Sequence, residues 1–239
     1  MSGIERLSAI QSRSTSVVIA EQLTARIIDG SFGPGEQINE AQVAHQLNVS
    51  RGPVREALQR LVQEGLLISK PNRGVFVREL TAADVAEIYA AREVIECAAA
   101  EIIVAGDPAA RKKIAAELTS IVDRMAPFVA AQDWLEVSRL DLAFHTRLVE
   151  ASGNSRLLRA YLTLATESLI CMSNLKQSYP YADPDGIDEG HREIARLLGA
   201  ADTEKLVAAL NSHLSLADDY LSGVVDSELR RGRGIRDVV

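Results

Sequence analysis

The sequence predicts a mostly α protein, a small N-terminal winged helix-turn-helix followed by a larger all-α domain, and three observations carry that expectation. Residues 1–80 are punctuated by turn formers: Gly33, Pro34 and Gly35, then Gly52 and Pro53, then Gly65, then Pro71, Asn72, Arg73 and Gly74. Beyond residue 80 apolar residues recur every three or four positions, as in Val85, Ile88, Tyr89, Val94 and Ile95, which is the helical period. Charge divides at the same place. The first 80 residues hold nine Lys and Arg against eight Asp and Glu, and the remainder 17 against 25. We therefore expect a winged helix-turn-helix domain at residues 1–80 and an all-helical domain at residues 81–239.

The elements follow in order. A helix over about Ser16 to Asp29 places Ala20, Leu23, Ile27 and Ile28 on one face, and Gly30 stops it. A second helix, about Glu40 to Leu47, buries Val43, Ala44 and Leu47. Asn48 and Val49 make a tight connection, and Ser50 offers an N-cap oxygen to a third helix, Arg51 to Glu64, with Pro53 in its first turn. There Val54, Ala57, Leu58 and Leu61 face the core, leaving Arg51 and Arg55 on another face. Leu66 to Ser69 and Val75 to Val77 are β-prone runs joined by a turn carrying Lys70 and Arg73, a small hairpin or wing. About six helices fill the rest, broken at Gly106 to Pro108, Pro127 to Asp133, Ser152 to Asn154, Tyr179 to Gly186 and Gly199 to Asp202. The last spans roughly Asp202 to Ser222, with a basic, frayed tail from Arg230 to Arg236.

Composition excludes several classes. With 47% hydrophobic and 25% charged residues, the 239-residue chain matches ordinary globular proteins rather than disordered ones. Two cysteines, Cys97 and Cys171, and no basic-then-apolar leader argue against a secreted disulfide scaffold, so we expect a cytoplasmic protein. No run approaches the ~18 to 20 apolar residues of a membrane helix, so no membrane partner is expected. A net charge of −7 discourages nucleic-acid binding in general, yet the near-neutral first 80 residues accommodate a polyanion that the acidic remainder repels.

A helix whose first turns expose two arginines can enter a major groove, where a guanidinium pairs with guanine or clamps phosphate. Ser50, Gly52 and the helix N-terminal amides suit close contact with phosphate, while Lys70 and Arg73 reach the backbone or minor groove. The alternative is that Arg51 and Arg55 only solvate a helix face, with Glu56 as local partner.

Residues 33–78 carry a resemblance. Gly33-Pro34-Gly35, the run Val49-Ser50-Arg51-Gly52-Pro53-Val54-Arg55-Glu56-Ala57-Leu58, then Arg60 and Leu61, Glu64-Gly65-Leu66 and Arg73-Gly74-Val75-Phe76-Val77 closely resemble the DNA-reading domain of GntR-type bacterial regulators. The resemblance implies operator contact by Arg51 and Arg55, aided by Ser50 and Arg73. It departs from some relatives at Ala41, where they have an arginine, so one base contact differs.

The chain has four histidines: His45, His145, His191 and His213. Asp141 and His145 lie one helical turn apart on one face and can converge on an ion. With His191 and His213 they form a plausible set for Zn²⁺, Ni²⁺ or Mn²⁺; read from the residues alone, core or surface histidines are the alternative. Arg92 with Glu96, Asp141, Phe144 and His145, Gly153 and Asn154, His191 and His213 fall in an order that resembles the FCD effector domain of the FadR-like branch, over residues 84–225. That resemblance implies an antiparallel helix bundle holding a divalent metal, most simply Zn, on Asp141, His145, His191 and His213, and capturing a small organic acid there. His45 takes no part. Arg92 would pair with the effector carboxylate, unless it is tied to Glu93 or Glu96. Asn174, and after it Ser168 and Tyr220, would add polar contacts. Trp134, Cys171 and Met172 read as packing.

The expectation is therefore a homodimeric repressor that binds an inverted-repeat operator and is released by an organic acid at the metal. A metal-responsive regulator without an organic effector is the alternative. A metal-dependent hydrolase lacks a convincing general base, so an enzyme is not expected.

Overall fold

The computed structural model describes residues 14–173 and 184–236. Helix α1 (Thr15–Ile28) starts on Ser14, whose hydroxyl accepts from the Val17 amide at 3.3 Å, and buries Ile19, Ala20, Leu23, Ile27 and Ile28. Helix α2 (Glu40–Gln46) is capped by the Asn39 side chain, which accepts from the Ala41 and Gln42 amides. Helix α3 (Arg51–Gln63) buries the expected stripe of Val54, Ala57, Leu58 and Leu61. Ser50 sits at its N-cap in extended conformation but makes no side-chain cap hydrogen bond, which corrects the expectation that its oxygen closes the helix. The hydroxyl and first-turn amides of α3 thus stay available to an outside acceptor or donor.

The wing has one strand more than the sequence suggests. Strand β1 (Gln37–Ile38) joins β2 (Leu67–Lys70) and β3 (Gly74–Val77) in an antiparallel sheet of order β1-β3-β2, pairing Gln37 with Phe76 and Ile38 with Val75. Two residues carry no readable alternation, so β1 exists through its partner. Gln37 also donates from Nε2 to the Arg73 carbonyl at 2.8 Å, fastening the wing tip.

Among the described residues six helices follow: α4 (Ala82–Ala105), α5 (Pro108–Ala131), α6 (Trp134–Ala151), α7 (Ser155–Ser173), α8 (Pro184–Ala200) and α9 (Thr203–Arg236). Helix α4 packs on α6, α7 and α9, and α5 on α6 and α8. Three boundaries differ from expectation: α8 begins at Pro184, inside the break expected over Tyr179 to Gly186, whose residues before 184 lie outside the described residues, and two others lie on α5 and α9. Helix α5 runs through Pro127 and ends at Ala131, with Gln132 closing it in the left-handed region at φ 56°. Helix α9 continues to Arg236 instead of stopping near Ser222, because Leu221 and Val225 extend its buried stripe. The segment read as a frayed tail is therefore helical.

The core is not divided at residue 80. One apolar cluster joins Leu23, Leu61 and Leu67 of the winged part to Val85, Ile88 and Tyr89 of α4, Ile170, Cys171 and Met172 of α7, and Leu214, Leu221 and Val225 of α9. A second, around Phe144, Leu148, Ile194 and Leu210, fills the bundle beside the histidines. Trp134 packs partly buried against Met125, Val129, Val137 and Leu140, as expected of a packing residue. Among the described residues no helix is long and apolar enough to cross a membrane.

Candidate metal centre and nucleic-acid interface

Three helices deliver four donors to one point inside the bundle. Asp141 and His145 come from α6 at the one-turn spacing, His191 from α8 and His213 from α9, and one donor atom from each lies within 4.8 Å of all the others. His191 Nε2 stands 3.0 Å from Asp141 Oδ1, His145 Nε2 lies 3.2 Å from His213 Nε2 and 4.0 Å from Asp141 Oδ1. Ion-to-ligand bonds of ~2.0–2.2 Å put ligand atoms roughly 3 to 4.4 Å apart, close to this spread. All four residues are buried. Phe144 wedges its ring edge-on against His145 and His191, with centroids at 5.2 and 4.8 Å. Gly190 makes room for His213: a Cβ there would stand 3.2 Å from His213 Nδ1.

Glu96 fixes the histidine tautomer. Its Oε2 lies 2.6 Å from His145 Nδ1, so a protonated Nδ1 donates to the carboxylate and the Nε2 lone pair points to the other donors. Arg92 donates from Nε to Glu96 Oε1 at 3.0 Å and from Nη1 to Ser168 Oγ at 3.3 Å, and its guanidinium lies 4.8 Å from the centre of the Tyr89 ring. Burial alone would neutralise Glu96, but His145 and Arg92 hold it below the ordinary carboxylate value. Burial likewise opposes ionisation of Asp141, and the contact with His191 and the neighbouring imidazoles outweigh it, holding Asp141 well below that range. Burial, followed by His191 and His145, pushes His213 well below the usual imidazole value, so its ring is neutral at neutral pH. An ionised carboxylate and a neutral His213 beside two further imidazoles, all in one buried cluster, are donors of the kind a borderline divalent ion takes, so the donor set fits such an ion.

The sequence reading reached the four donors but not the role of Glu96. Arg92 is buried in the Glu96 pair, which is the alternative weighed for it. Ser168 touches Arg92. Asn174 lies outside the described residues.

The other end of the molecule presents its cations. Ser50, Arg51 and Gly52 are exposed at the N-terminus of α3, and Arg73 is exposed at the wing tip. Arg55 pairs across to α2, donating from Nε and Nη2 to Glu40 at 3.2 and 3.0 Å, rather than to its neighbour Glu56. Its side chain remains 64% exposed, so it stays accessible to an outside anion. Lys70 lies over the Phe76 ring, 4.6 Å from its centre, which places its ammonium beside the hairpin. His45 is exposed on α2, away from the buried cluster.

Both parts of the chain match known families. Residues 15–77 match the model for bacterial regulatory proteins of the gntR family, and residues 87–216 match the FCD domain. An uncharacterized HTH-type transcriptional regulator of Bacillus subtilis, YdhC, is 36% identical over 136 residues, which cover 57% of this chain and only 60% of that protein. A probable D-xylose utilization operon transcriptional repressor of Paenarthrobacter nicotinovorans is 29% identical over 233 residues, spanning 94% of this chain and 99% of that one. The crystal structure of a GntR transcriptional regulator from Rhodococcus sp. RHA1 superposes with a TM-score of 0.73 at 31% identity, covering 88% of this chain and 99% of that chain.

Proposed function

The chain belongs to the GntR family of bacterial transcriptional regulators, in the branch with an FCD domain, and from that premise we propose that it represses a catabolic operon under the control of a metal-bound organic acid. The family consists of DNA-binding regulators rather than enzymes. In this reading residues 1–80 read DNA and residues 81–239 sense the effector and dimerise, so that two copies address the halves of an inverted repeat. Ser50, Arg51, Gly52, Arg55, Lys70 and Arg73 meet the operator. Arg51 at the exposed start of α3 reads a base, while the free amides there, Lys70 and Arg73 hold phosphate.

The observation that carries the sensor reading is the convergence of Asp141, His145, His191 and His213 in a buried cluster. These side chains would hold a divalent ion, Zn²⁺ first and Ni²⁺ or Mn²⁺ as alternatives. When bound, such an ion supplies a Lewis-acidic coordination position for a carboxylate. Glu96 keeps His145 turned inward, and Arg92 keeps Glu96 ionised. Arg92 with Asn174 would flank the acid.

One observation favours a second reading, in which the metal alone is the signal. Arg92, the cation suited to a carboxylate, already donates to Glu96 and Ser168. The experiment separates the two. Operator affinity is measured on chelated protein, with Zn²⁺, and with Zn²⁺ plus a panel of sugar acids and other small organic acids. A response only to an acid supports the first reading, and a response to metal alone the second. His191→Ala should lose bound metal by elemental analysis; unchanged content would remove it from the site. Arg51→Ala should weaken operator binding by ~1–3 kcal/mol if its contact is bidentate to guanine, and an unaltered footprint would count against that role.

A further inference from the structure

Helix α7 presents successive residues to the buried Arg92 network and to the winged part. Ser168, fully buried, accepts from Arg92 at 3.3 Å, and Arg92 pairs with Glu96, whose other oxygen lies 2.6 Å from His145. Its neighbour Glu167 turns about 100° away, as consecutive helical residues do, and meets the winged part. Glu167 Oε1 lies 3.4 Å from Arg78 Nη1, and both side chains are largely covered. Arg78 in turn donates from Nε to the Gly65 carbonyl at 2.7 Å and, through its amide, to the Leu66 carbonyl at 3.0 Å.

Gly65 follows Glu64, the C-cap of α3. Its backbone adopts φ +86°, and a Cβ built there would stand 3.0 Å from Glu167 Oε1, so the carboxylate is seated directly against the end of this helix. Ile170, Cys171 and Met172, one turn further along α7, belong to the same apolar cluster as Leu61 and Leu67. Because Glu167 and Ser168 are adjacent on one rigid helix, α7 cannot move at Ser168 without moving at Glu167.

We propose that Glu167 is the positioning residue that couples the buried donor cluster to the reading helix, holding the Gly65–Arg78 junction in a register set by what occupies the cluster. The inference rests on the metal reading above and adds the route by which occupancy reaches α3. It requires no new contact with DNA or metal. The cluster orders Glu96 and Arg92, Arg92 sets Ser168, and α7 transmits the shift to the end of α3.

The test uses the full-length protein, chelated or loaded with Zn²⁺ alone. Amide hydrogen exchange is followed over residues 65–78, with bound zinc measured in parallel. In the wild type, loading should change protection at this junction. In Glu167→Gln the change should disappear, while zinc content stays as in the wild type. A Glu167→Gln protein that keeps the wild-type response overturns the proposal, as does a wild type that binds zinc with an unresponsive junction. A wild type that binds no zinc overturns the metal reading, and this inference falls with it.

Discussion

At the residue scale, the chemistry of the site depends on partners that no spacing announces. Asp141 and His145 are legible because four residues make one helical turn. His191 and His213 acquired a role from the family resemblance, since nothing in a linear text brings α8 and α9 to α6. Glu96 was written into that resemblance beside Arg92, yet its work, orienting His145 across 49 positions of sequence, emerges only with the fold. Substituting it tests this directly. Glu96→Gln keeps the shape but weakens the acceptor that fixes the tautomer, and metal affinity should fall on the order of 10- to 100-fold by competition titration with a chromophoric chelator. Affinity equal to the wild type would mean that His145 is oriented without it. The pairing of Arg55 with Glu40 was missed for the same reason: Glu56 is the neighbour in sequence, whereas Glu40 is the neighbour across the turn between α2 and α3.

At the scale of elements, starts were more legible than ends. Helix α4 begins with a capping box: the Thr81 hydroxyl accepts from the Asp84 amide at 3.2 Å, and the Asp84 carboxylate accepts from the Thr81 amide at 2.8 Å. Thr81→Ala should cost ~0.5–2 kcal/mol in denaturant unfolding, because orphaned amides at the junction of the two parts return to water; no change would show that the cap is idle. The hydrogen bonds from Thr81 lower the Asp84 carboxyl below its ordinary value. A depressed acid stabilises the fold above its unfolded value and loses that contribution as pH falls through the folded one. The advantage of wild type over Asp84→Asn should therefore shrink on acidification, and an advantage that grows would reverse this sign. Ends were less readable. Pro127 looked like a stop, yet α5 continues for another turn, and α9 outran its expected limit because Leu221 and Val225 find partners in a cluster contributed by distant segments. Strand β1 was invisible because its two residues become a strand only against β3.

At the scale of the whole molecule, an acidic chain must bind a polyanion through local cations, so operator affinity should decline steeply with salt, with a log–log slope of about −0.9 for each phosphate neutralised. A flat titration would contradict phosphate contact by the exposed arginines. An ion bound by the native state alone stabilises that state by mass action, so stripping metal with a chelator should lower the melting temperature, and re-addition of Zn²⁺ should recover it. An unchanged melting point would show that the buried donors are satisfied without an ion. The shared apolar cluster adds a constraint on biosynthesis. Since Leu221 and Val225 complete an interior begun by Leu23, a ribosome that has released only the first third of this polypeptide has made a head that still lacks part of its lining. The interior under the winged part is thus complete only once the last helix has emerged.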